Sequence, residues 1–222
     1  MVYRSQALAD VIDQEPAERT LPEAPHFNHE RALLARGLRF IAGVDEVGRG
    51  PLCGPVVAAA VILDPQLLPE GVTDSKQLDA DERQNAFDQV MQRAVAVGIG
   101  MASAAEIDTI NIRQATHTAM RRALAALSVA PAFALIDGND CPKNLRCEAS
   151  TLIKGDAISL SIAAASVIAK VTRDRLMHRM GEWHPQYGFA DHVGYPTKRH
   201  REAIAAHGPC AFHRLSFGSL KG

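Results

Sequence analysis

Small and apolar residues recur at helical spacing between Asp156 and about Met180. Steps of four and three residues alternate along one face, which is formed by Ile158, Ile162, Ala165, Ala169, Thr172 and Leu176. Asp156 directly follows Gly155, at the position where the N-cap of such a helix is expected. The pattern therefore predicts a long helix that begins at Asp156 and is buried along this face.

Apolar runs rich in β-branched residues predict the strands of a sheet. The segments LRFIAGVDE and PVVAAAVILD flank the glycine-rich turn GRGPLCG, and this short connection makes them antiparallel neighbours. Three more strands are predicted at VAVGIGMAS, AFALIDG and LRCEASTLI, and helices after Asp79, in AAEIDTINIRQATHTAMRRALAAL and after Thr197. This order indicates an α/β domain with a mixed sheet flanked by helices.

The chain divides into three parts by composition and pattern. Residues 1–38 mix Pro, Glu and Asn with few large apolar residues, so we expect a flexible N-terminal extension, with one short helix at ERALLARG. Residues 39–180 contain the predicted sheet and form the core, and residues 181–222 form a C-terminal helical region. No segment approaches the about 18 uninterrupted apolar residues of a membrane span, so we expect no membrane partner.

Charge is unevenly distributed along a chain whose net charge is only −1. Residues 170–222 hold nine Lys/Arg against four Asp/Glu, a net +5, while the rest holds 15 against 21, a net −6. Such polarity favours an anionic partner for the C-terminal segment, although a basic surface that is merely solvated would give the same count.

The cysteines and histidines do not have the spacing of a zinc site. Cys53, Cys141, Cys147 and Cys210 lack the pairing at two to four residues that zinc ligands show. The C-terminal histidines lack the H-E-x-x-H spacing. We expect reduced thiols in a cytoplasmic protein, with Cys53 packed as a small apolar side chain.

The turn GRGPLCG has the glycine content of a phosphate-binding loop but not its other features. A dinucleotide site needs free backbone N–H groups and a helix that begins at the pyrophosphate. Here Pro51 removes one N–H, a strand follows the turn, and two acids precede it. The sequence therefore argues against a nucleotide cofactor.

Four acids end or begin predicted elements, namely Asp45, Glu46, Asp137 and Asp156. Asp137 alone is typical of a turn and Asp156 alone of an N-cap, whereas the pair in its apolar context is costly to bury without a partner. If the four converge on one edge of the sheet, a cation must neutralise them, and oxygen ligands favour Mg²⁺ or Mn²⁺. Two such ions form a device that hydrolyses phosphodiesters.

Five segments together resemble bacterial ribonuclease HII, in that family's order and over about residues 40–217. They are GVDEVGRGPLCGPVVAAAVIL, DSKQL, LIDGN, KGDAISLSIAAASVIAKVTRDRLM and YGFADHVGYPTKRHREAIAAHGPCAFHRLSF. The resemblance implies an RNase H-like mixed β-sheet flanked by helices, with 39–180 as catalytic core and 181–222 as a substrate-binding helical region. It also implies cleavage of RNA in RNA–DNA hybrids and at single ribonucleotides embedded in duplex DNA.

The resemblance also assigns roles to residues. It implies that Asp45, Glu46, Asp137 and Asp156 are the catalytic acids and hold two Mn²⁺ or Mg²⁺ ions. It implies that substrate is bound by the G-R-G motif, the D-S-K element and the tyrosine of a G-Y-x-T element, which are Gly48, Arg49, Gly50, Ser75, Lys76 and Tyr195. Lys154, together with Arg49 and Lys76, is expected to bind substrate by neutralising backbone phosphates. The two glycines let backbone approach a ribose closely, where its 2′-OH distinguishes RNA from DNA.

Two positions depart from the family pattern, and two alternative functions stay open. Cys53 stands where many relatives carry a small residue such as Ala, and Val193 where they often carry Lys, which removes one expected phosphate contact. The alternatives are an RNase H-fold nuclease that cuts only long hybrids and an inactive hybrid-binding module. We expect a monomer, and a sliding-clamp partner stays open because the C-terminal FGSLKG carries no recognisable clamp-binding peptide.

Overall fold

The computed structural model describes residues 21–218 of the chain. The five strands form one sheet in the order β3-β2-β1-β4-β5. Their bounds are β1 Ile41–Val47, β2 Val56–Leu63, β3 Ala94–Ala102, β4 Phe133–Asp137 and β5 Glu148–Leu152. The helices are α1 Asn28–Ala35, α2 Ala80–Arg93, α3 Ala104–Ala125, α4 Leu160–Trp183, α5 Phe189–His192 and α6 Lys198–His207, with short 3₁₀ turns at Gly155–Ala157 and Pro185–Tyr187.

The sheet is mixed, as its sequence pattern predicts. β1 lies at its centre, antiparallel to β2 and parallel to β4, while β2 is antiparallel to β3 and β4 is parallel to β5. All eight residues of β2 are buried, which explains its continuous apolar run. The predicted RNase H-like arrangement of a mixed sheet flanked by helices, followed by C-terminal helices, is confirmed.

Two helices cover opposite faces of the sheet. Alternate residues of β2 enter the two cores, because side chains along a strand point to opposite sides: Ala58 and Ala60 pack with α3, and Ala59 and Val61 pack with α4. Gly43 of β1 lies directly under α4, where an added Cβ would come within 2.1 Å of the carbonyl carbon of Ser161. Only glycine allows the central strand and the helix to approach this closely.

The long helix begins later than the sequence pattern predicts, and the assignment of Asp156 as its N-cap is wrong. Asp156 lies in the 3₁₀ turn, where the carbonyl of Gly155 accepts from the N–H groups of Ile158 and Ser159. Ser159 is the N-cap, and its hydroxyl accepts from the N–H of Ile162. Because Ser159 caps the helix, the carboxylate of Asp156 is left for another role.

Part of the predicted N-terminal extension is described, and residues 1–20 lie outside the described range. The short helix predicted at ERALLARG is confirmed as α1. Its Glu30 is fully buried, and one carboxylate oxygen accepts from the Ser159 hydroxyl at 2.6 Å and from the Ser161 N–H at 3.0 Å. The acid of α1 thus lies at the N-terminus of α4, where a negative charge is stabilised.

The C-terminal region packs against the far end of α4. Tyr187 and Phe189 are buried there with Met177 and Met180. The predicted cap of the last helix is confirmed, since the Thr197 hydroxyl accepts from the N–H of the third helical residue. Within residues 21–218, no helix is long and apolar enough to span a membrane.

Candidate active site

Three of the predicted acids lie at one end of the two central parallel strands. Asp45 and Glu46 are near the end of β1, and Asp137 is the last residue of β4. The two strands pair in register up to Val44 and Ile136. Asp45 and Asp137 therefore follow neighbouring positions at the same edge of the sheet.

The fourth acid reaches the same edge from the turn that follows β5. Asp156 is mostly buried in this turn, at 9% exposure. The preceding residue, Gly155, donates its N–H to Oδ1 of Asp137 at 2.7 Å. This hydrogen bond fixes the turn against the end of β4 and brings Asp156 into the electrostatic field of Asp137.

Among the four acids, Asp45 has the pKa that burial and repulsion from neighbouring carboxylates raise most. Burial is the largest cause that raises the pKa of Asp45 well above its usual value, and the carboxylates of Glu46 and Asp137 raise it further. A hydrogen bond from the Ser166 hydroxyl acts in the opposite direction. An uncompensated negative charge at Asp45 is therefore unfavourable, and a bound cation would relieve it.

The pKa values of Glu46 and Asp156 are also raised, again mainly by burial, but the neighbouring charges differ. Burial raises the pKa of Glu46, and the guanidinium of Arg49, 3.2 Å from its carboxylate, partly offsets this. Burial raises the pKa of Asp156 as well, and Asp137 adds to it. All four acids thus belong to one electrostatic cluster.

The donor set of this cluster suits a hard divalent cation. Every candidate ligand is a carboxylate oxygen, which Mg²⁺ and Mn²⁺ prefer. Within residues 21–218, no three of these acids bring ligand atoms within 4.8 Å of one another. The carboxylates are therefore more widely spaced than the ligands of one closed metal site.

Two lysines predicted to bind substrate lie beside the acids. Lys76 is largely exposed, with its ammonium 3.8 Å from Asp156 and 3.9 Å from Asp74. Burial lowers its pKa, but these two carboxylates, together with those of Asp45 and Asp137, outweigh burial and raise it overall. Lys154 is also exposed and has a left-handed backbone, with φ of +56°, immediately before the 3₁₀ turn.

Ser75, which is also predicted to bind substrate, contacts the acids from the interior of the protein. It is buried, and its hydroxyl lies 2.9 Å from the hydroxyl of Ser166. Ser166 in turn hydrogen-bonds Asp45. The side chain of Ser75 therefore contacts the acid cluster through a second hydroxyl, from inside the protein.

The G-R-G motif follows β1 in a loop whose carbonyl groups are held from inside by a buried arginine. Arg214 is fully buried and donates to the carbonyls of Gly48 at 2.6 Å, Arg49 at 3.1 Å and Gly54 at 2.9 Å. The C=O and N–H of a trans peptide point in opposite directions. The N–H groups of Arg49 and Gly50, which have no hydrogen-bond acceptor among the described residues, therefore point away from Arg214, on the exposed side of the loop.

A second buried arginine also donates hydrogen bonds to backbone carbonyls beneath the loop. Arg173 of α4 donates to the carbonyls of Pro55 at 3.0 Å, Cys53 at 3.1 Å and Val193 at 3.0 Å. Gly48 has a φ of +89°, and an added Cβ would lie 2.2 Å from Nε of Arg173. The first glycine of the motif is therefore required both by its backbone conformation and by the arginine packed beneath it.

Tyr195 lies beside the exposed side of the same loop. Its side chain is partly exposed, at 44%, and a Cβ built on Gly50 would be 3.7 Å from a ring carbon of Tyr195. The ring is thus available for contact with a ligand that also reaches the N–H groups of Arg49 and Gly50. Val193 offers no charge here, and its carbonyl accepts from Arg173.

Comparisons with known proteins agree with this arrangement. The family model described as Ribonuclease HII matches residues 42–220. A curated Ribonuclease HII of Brucella ovis is 52% identical over 203 residues, which cover 91% of this chain and 92% of that protein. The chain belongs to the ribonuclease HII family. Membership makes it a ribonuclease H, a nuclease that hydrolyses RNA paired with DNA.

Solved structures of the ribonuclease HII type share its fold. The ribonuclease H2 from Pyrococcus horikoshii OT3 superposes with a TM-score of 0.67 at 27% identity, covering 80% of this chain and 93% of that one. The ribonuclease HII of Archaeoglobus fulgidus, solved as a complex with PCNA, gives a TM-score of 0.67 at 26% identity, covering 81% and 95%. The recognised family and the fold predicted from it are therefore confirmed.

Sequence reasoning missed the residues that support the ribonuclease HII site from inside. Arg173 could have been found, because it follows Ala169 by four residues and so interrupts an apolar helical face with a charge. Arg214 and Ser166 gave no such signal, since their contacts lie far away in the sequence. The polar groups beneath the loop become visible only in the folded chain.

Proposed function

We propose that the chain cleaves the phosphodiester bond on the 5′ side of a ribonucleotide, in RNA–DNA hybrids and at single ribonucleotides embedded in duplex DNA, and leaves 3′-OH and 5′-phosphate ends. One observation carries the proposal. The acid cluster and the loop with outward N–H groups are consecutive in the chain, since Glu46 is separated from Gly48 by a single residue. A group that would recognise ribose therefore lies next to groups that would bind cations.

Asp45, Glu46, Asp137 and Asp156 would hold two Mg²⁺ or Mn²⁺ ions. Such a pair supplies activation of the attacking water and stabilisation of the charge on the leaving oxygen. The residues around the acids have separate tasks. Ser166 orients the carboxylate of Asp45, and the Gly155 N–H orients that of Asp137.

The loop and Tyr195 would select the ribonucleotide. The N–H groups of Arg49 and Gly50 are free to donate to a 2′-OH, which DNA lacks. The Tyr195 ring, beside Gly50, would stack on the neighbouring sugar. Because a backbone donor and a rigid ring need only one ribose, this geometry favours recognition of single ribonucleotides over a requirement for a long hybrid.

Positive side chains around the site would hold the nucleic-acid backbone. Arg49, Lys76 and Lys154 are all exposed near the acids, and residues 170–222 carry a net +5. Their contacts to phosphate release counterions, so binding should weaken steeply as salt is raised.

The test uses a labelled DNA duplex that contains one ribonucleotide, an all-DNA duplex and a long RNA–DNA hybrid, each with Mg²⁺, Mn²⁺ or EDTA. Metal-dependent cutting 5′ to the ribonucleotide, absent with Asp45→Asn, is the expected result. Cutting of the long hybrid alone would contradict the roles given to Gly50 and Tyr195. Binding of every ribonucleotide-containing duplex without any cutting would identify an inactive binding module.

A sliding clamp is a further proposed partner. The Archaeoglobus protein was solved together with PCNA, which favours a clamp as a partner for this chain as well. A shift in elution volume when the chain is mixed with the sliding clamp of its own organism would support the interaction, and unchanged elution of both proteins would oppose it.

A further inference from the structure

Two cysteines and a histidine that are distant in sequence meet behind the glycine-rich loop. The sulfurs of Cys53 and Cys210 and a ring nitrogen of His213 lie within 4.8 Å of one another. Nδ1 of His213 is 3.2 Å from the Cys210 sulfur. Cys53 and His213 are buried, whereas Cys210 is partly exposed, so the cluster can be reached from solvent past Cys210.

The hydrogen bonds of His213 identify which ring nitrogen carries a lone pair and which carries the proton. Nδ1 accepts from the backbone N–H of Cys210 at 2.9 Å, so this nitrogen carries no proton. In the neutral ring the proton is then on Nε2, which lies 3.1 Å from Nε2 of His200. The unprotonated nitrogen therefore faces the sulfurs, and the protonated one faces His200.

The second histidine has the properties needed to hold this arrangement. Nδ1 of His200 lies 2.9 Å from the carbonyl of Tyr195, to which it donates, leaving its Nε2 as acceptor for His213. Burial is the main cause that lowers the pKa of His200 to about 4, so the ring stays neutral. A histidine that binds a metal commonly donates its other N–H to such a partner, which fixes its orientation.

The two thiols share their protons unequally. The hydrogen bond from Cys53 is the largest cause that lowers the pKa of Cys210 to about 4. That same hydrogen bond, followed by burial, raises the pKa of Cys53, while the guanidinium groups of Arg214 and Arg173 favour its ionised form. The two sulfurs lie close enough to each other and to the His213 ring to act together as ligands of one ion.

We propose that Cys53, Cys210 and His213 form a binding site for Zn²⁺, separate from the acid cluster. Two thiolates and one imidazole are typical ligands for this ion. Binding replaces the Cys210 N–H on Nδ1 of His213 and releases the thiol protons of Cys53 and Cys210 to solvent. With three protein ligands the fourth position is left to water, so the ion exchanges with solvent.

The site would connect the substrate loop to the C-terminal region. Cys53 belongs to the loop that begins at Gly48, whereas Cys210 and His213 precede Arg214, which holds the loop carbonyls. His200 links His213 to the backbone of Tyr195. A bound ion therefore fixes the position of the loop relative to Tyr195.

The test is a titration of the full chain, reduced and stripped of metal, with Co²⁺ as a spectroscopic probe in the presence of excess Mg²⁺. We expect a thiolate-to-cobalt charge-transfer band and tetrahedral ligand-field bands at one equivalent, both abolished by Zn²⁺. Cys53→Ala and Cys210→Ser should lose the band, and Cys141→Ala, which removes a cysteine outside the cluster, should keep it. Carboxylate binding gives no such band, so Asp45→Asn should also keep it.

A thermal measurement gives an independent readout. Free Zn²⁺ at a hundredfold excess over its Kd should raise the Tm of the unsubstituted chain by about 5–10 °C. The rise should vanish in both cluster variants and persist in Cys141→Ala. A charge-transfer band that survives in Cys53→Ala and Cys210→Ser, or that is absent from the unsubstituted chain, would overturn the proposal.

Discussion

Replacement of Arg214 by lysine tests whether the orientation of the G-R-G loop depends on this one buried side chain. Lysine keeps the positive charge but offers a single nitrogen in place of a planar fork with five N–H donors. Arg214 is fully buried and uses three different nitrogens on three carbonyls, so a single ammonium cannot replace all of its contacts.

The expected loss follows from those contacts. The shortest is the 2.6 Å bond to Gly48, and the others are 3.1 Å to Arg49 and 2.9 Å to Gly54. A buried hydrogen bond to a charged group contributes about 1.5–3 kcal/mol. If lysine retains one of the three, the free energy of unfolding should fall by about 3–6 kcal/mol. Burial and the charge of Arg173 already lower the pKa of Arg214 to about 10, so a positive charge is costly to hold at this buried position.

The functional effect should be selective. Loss of the carbonyl contacts frees the peptide groups of Arg49 and Gly50 to rotate, and their N–H groups would no longer be aligned for a 2′-OH. We expect cleavage at a single embedded ribonucleotide to fall at least tenfold more than cleavage of a long hybrid, in which many ribose positions compete for the same site. Initial rates on both substrates, measured below the Tm of the variant, give this ratio.

The matched control is Arg199→Lys, which changes an exposed arginine of the same C-terminal region that pairs with Asp191. This change should leave both rates and the Tm nearly unchanged. If Arg214→Lys lowers stability but reduces both cleavage rates equally, the loop is not oriented by this arginine and the reasoning is refuted.

Three other substitutions test the acid cluster and the framework. Asp45→Asn should abolish cleavage yet raise the Tm in EDTA. Burial raises the pKa of the Asp45 carboxyl in the folded chain, so its contribution to stability is present at low pH and is lost as the pH rises through that folded-state pKa. Calorimetry should therefore show a higher Tm for the variant at neutral pH and a smaller difference at acid pH, and a lower Tm for the variant at neutral pH would contradict this. Glu30→Ala should lower the free energy of unfolding by about 2–4 kcal/mol, since it leaves the donors of Ser159 and Ser161 without their acceptor. Urea titration measures the free energy of unfolding, and a value equal to that of the unsubstituted chain would show that the contact is unimportant. Gly43→Ala should cost about 3 kcal/mol or more, because the new methyl overlaps the backbone of Ser161; near-native stability in the same titration would mean that α4 can shift.

The elements that sequence reasoning predicted well are those fixed by local pattern. β2 is buried on both faces, so its run of apolar residues is uninterrupted. Asp79 and Ser103 each form a capping box with a glutamate three residues later, and such a signal is contained within four residues. Boundaries of this kind need no information from the rest of the fold.

The predictions that failed or fell short depend on contacts between distant residues. The start of α4 moved from Asp156 to Leu160 because the 3₁₀ turn is held by Asp137 through Gly155. No local rule separates an N-cap aspartate from one that is held in such a turn. The same limit applies to Cys53 and His213, which are far apart in sequence and come together only in the fold.

The position of β1 at the centre of the sheet has a consequence for how firmly each acid is held. β1 is paired along both edges, so its amide hydrogens should exchange with solvent only when the whole domain unfolds, whereas those of the edge strand β5 should exchange through local opening. Asp45 is therefore attached to a strand that should exchange slowly, whereas Asp156 follows an edge strand. The hydrogen bond from Gly155 to Asp137 then ties the turn with Asp156 to β4, the strand that pairs directly with β1.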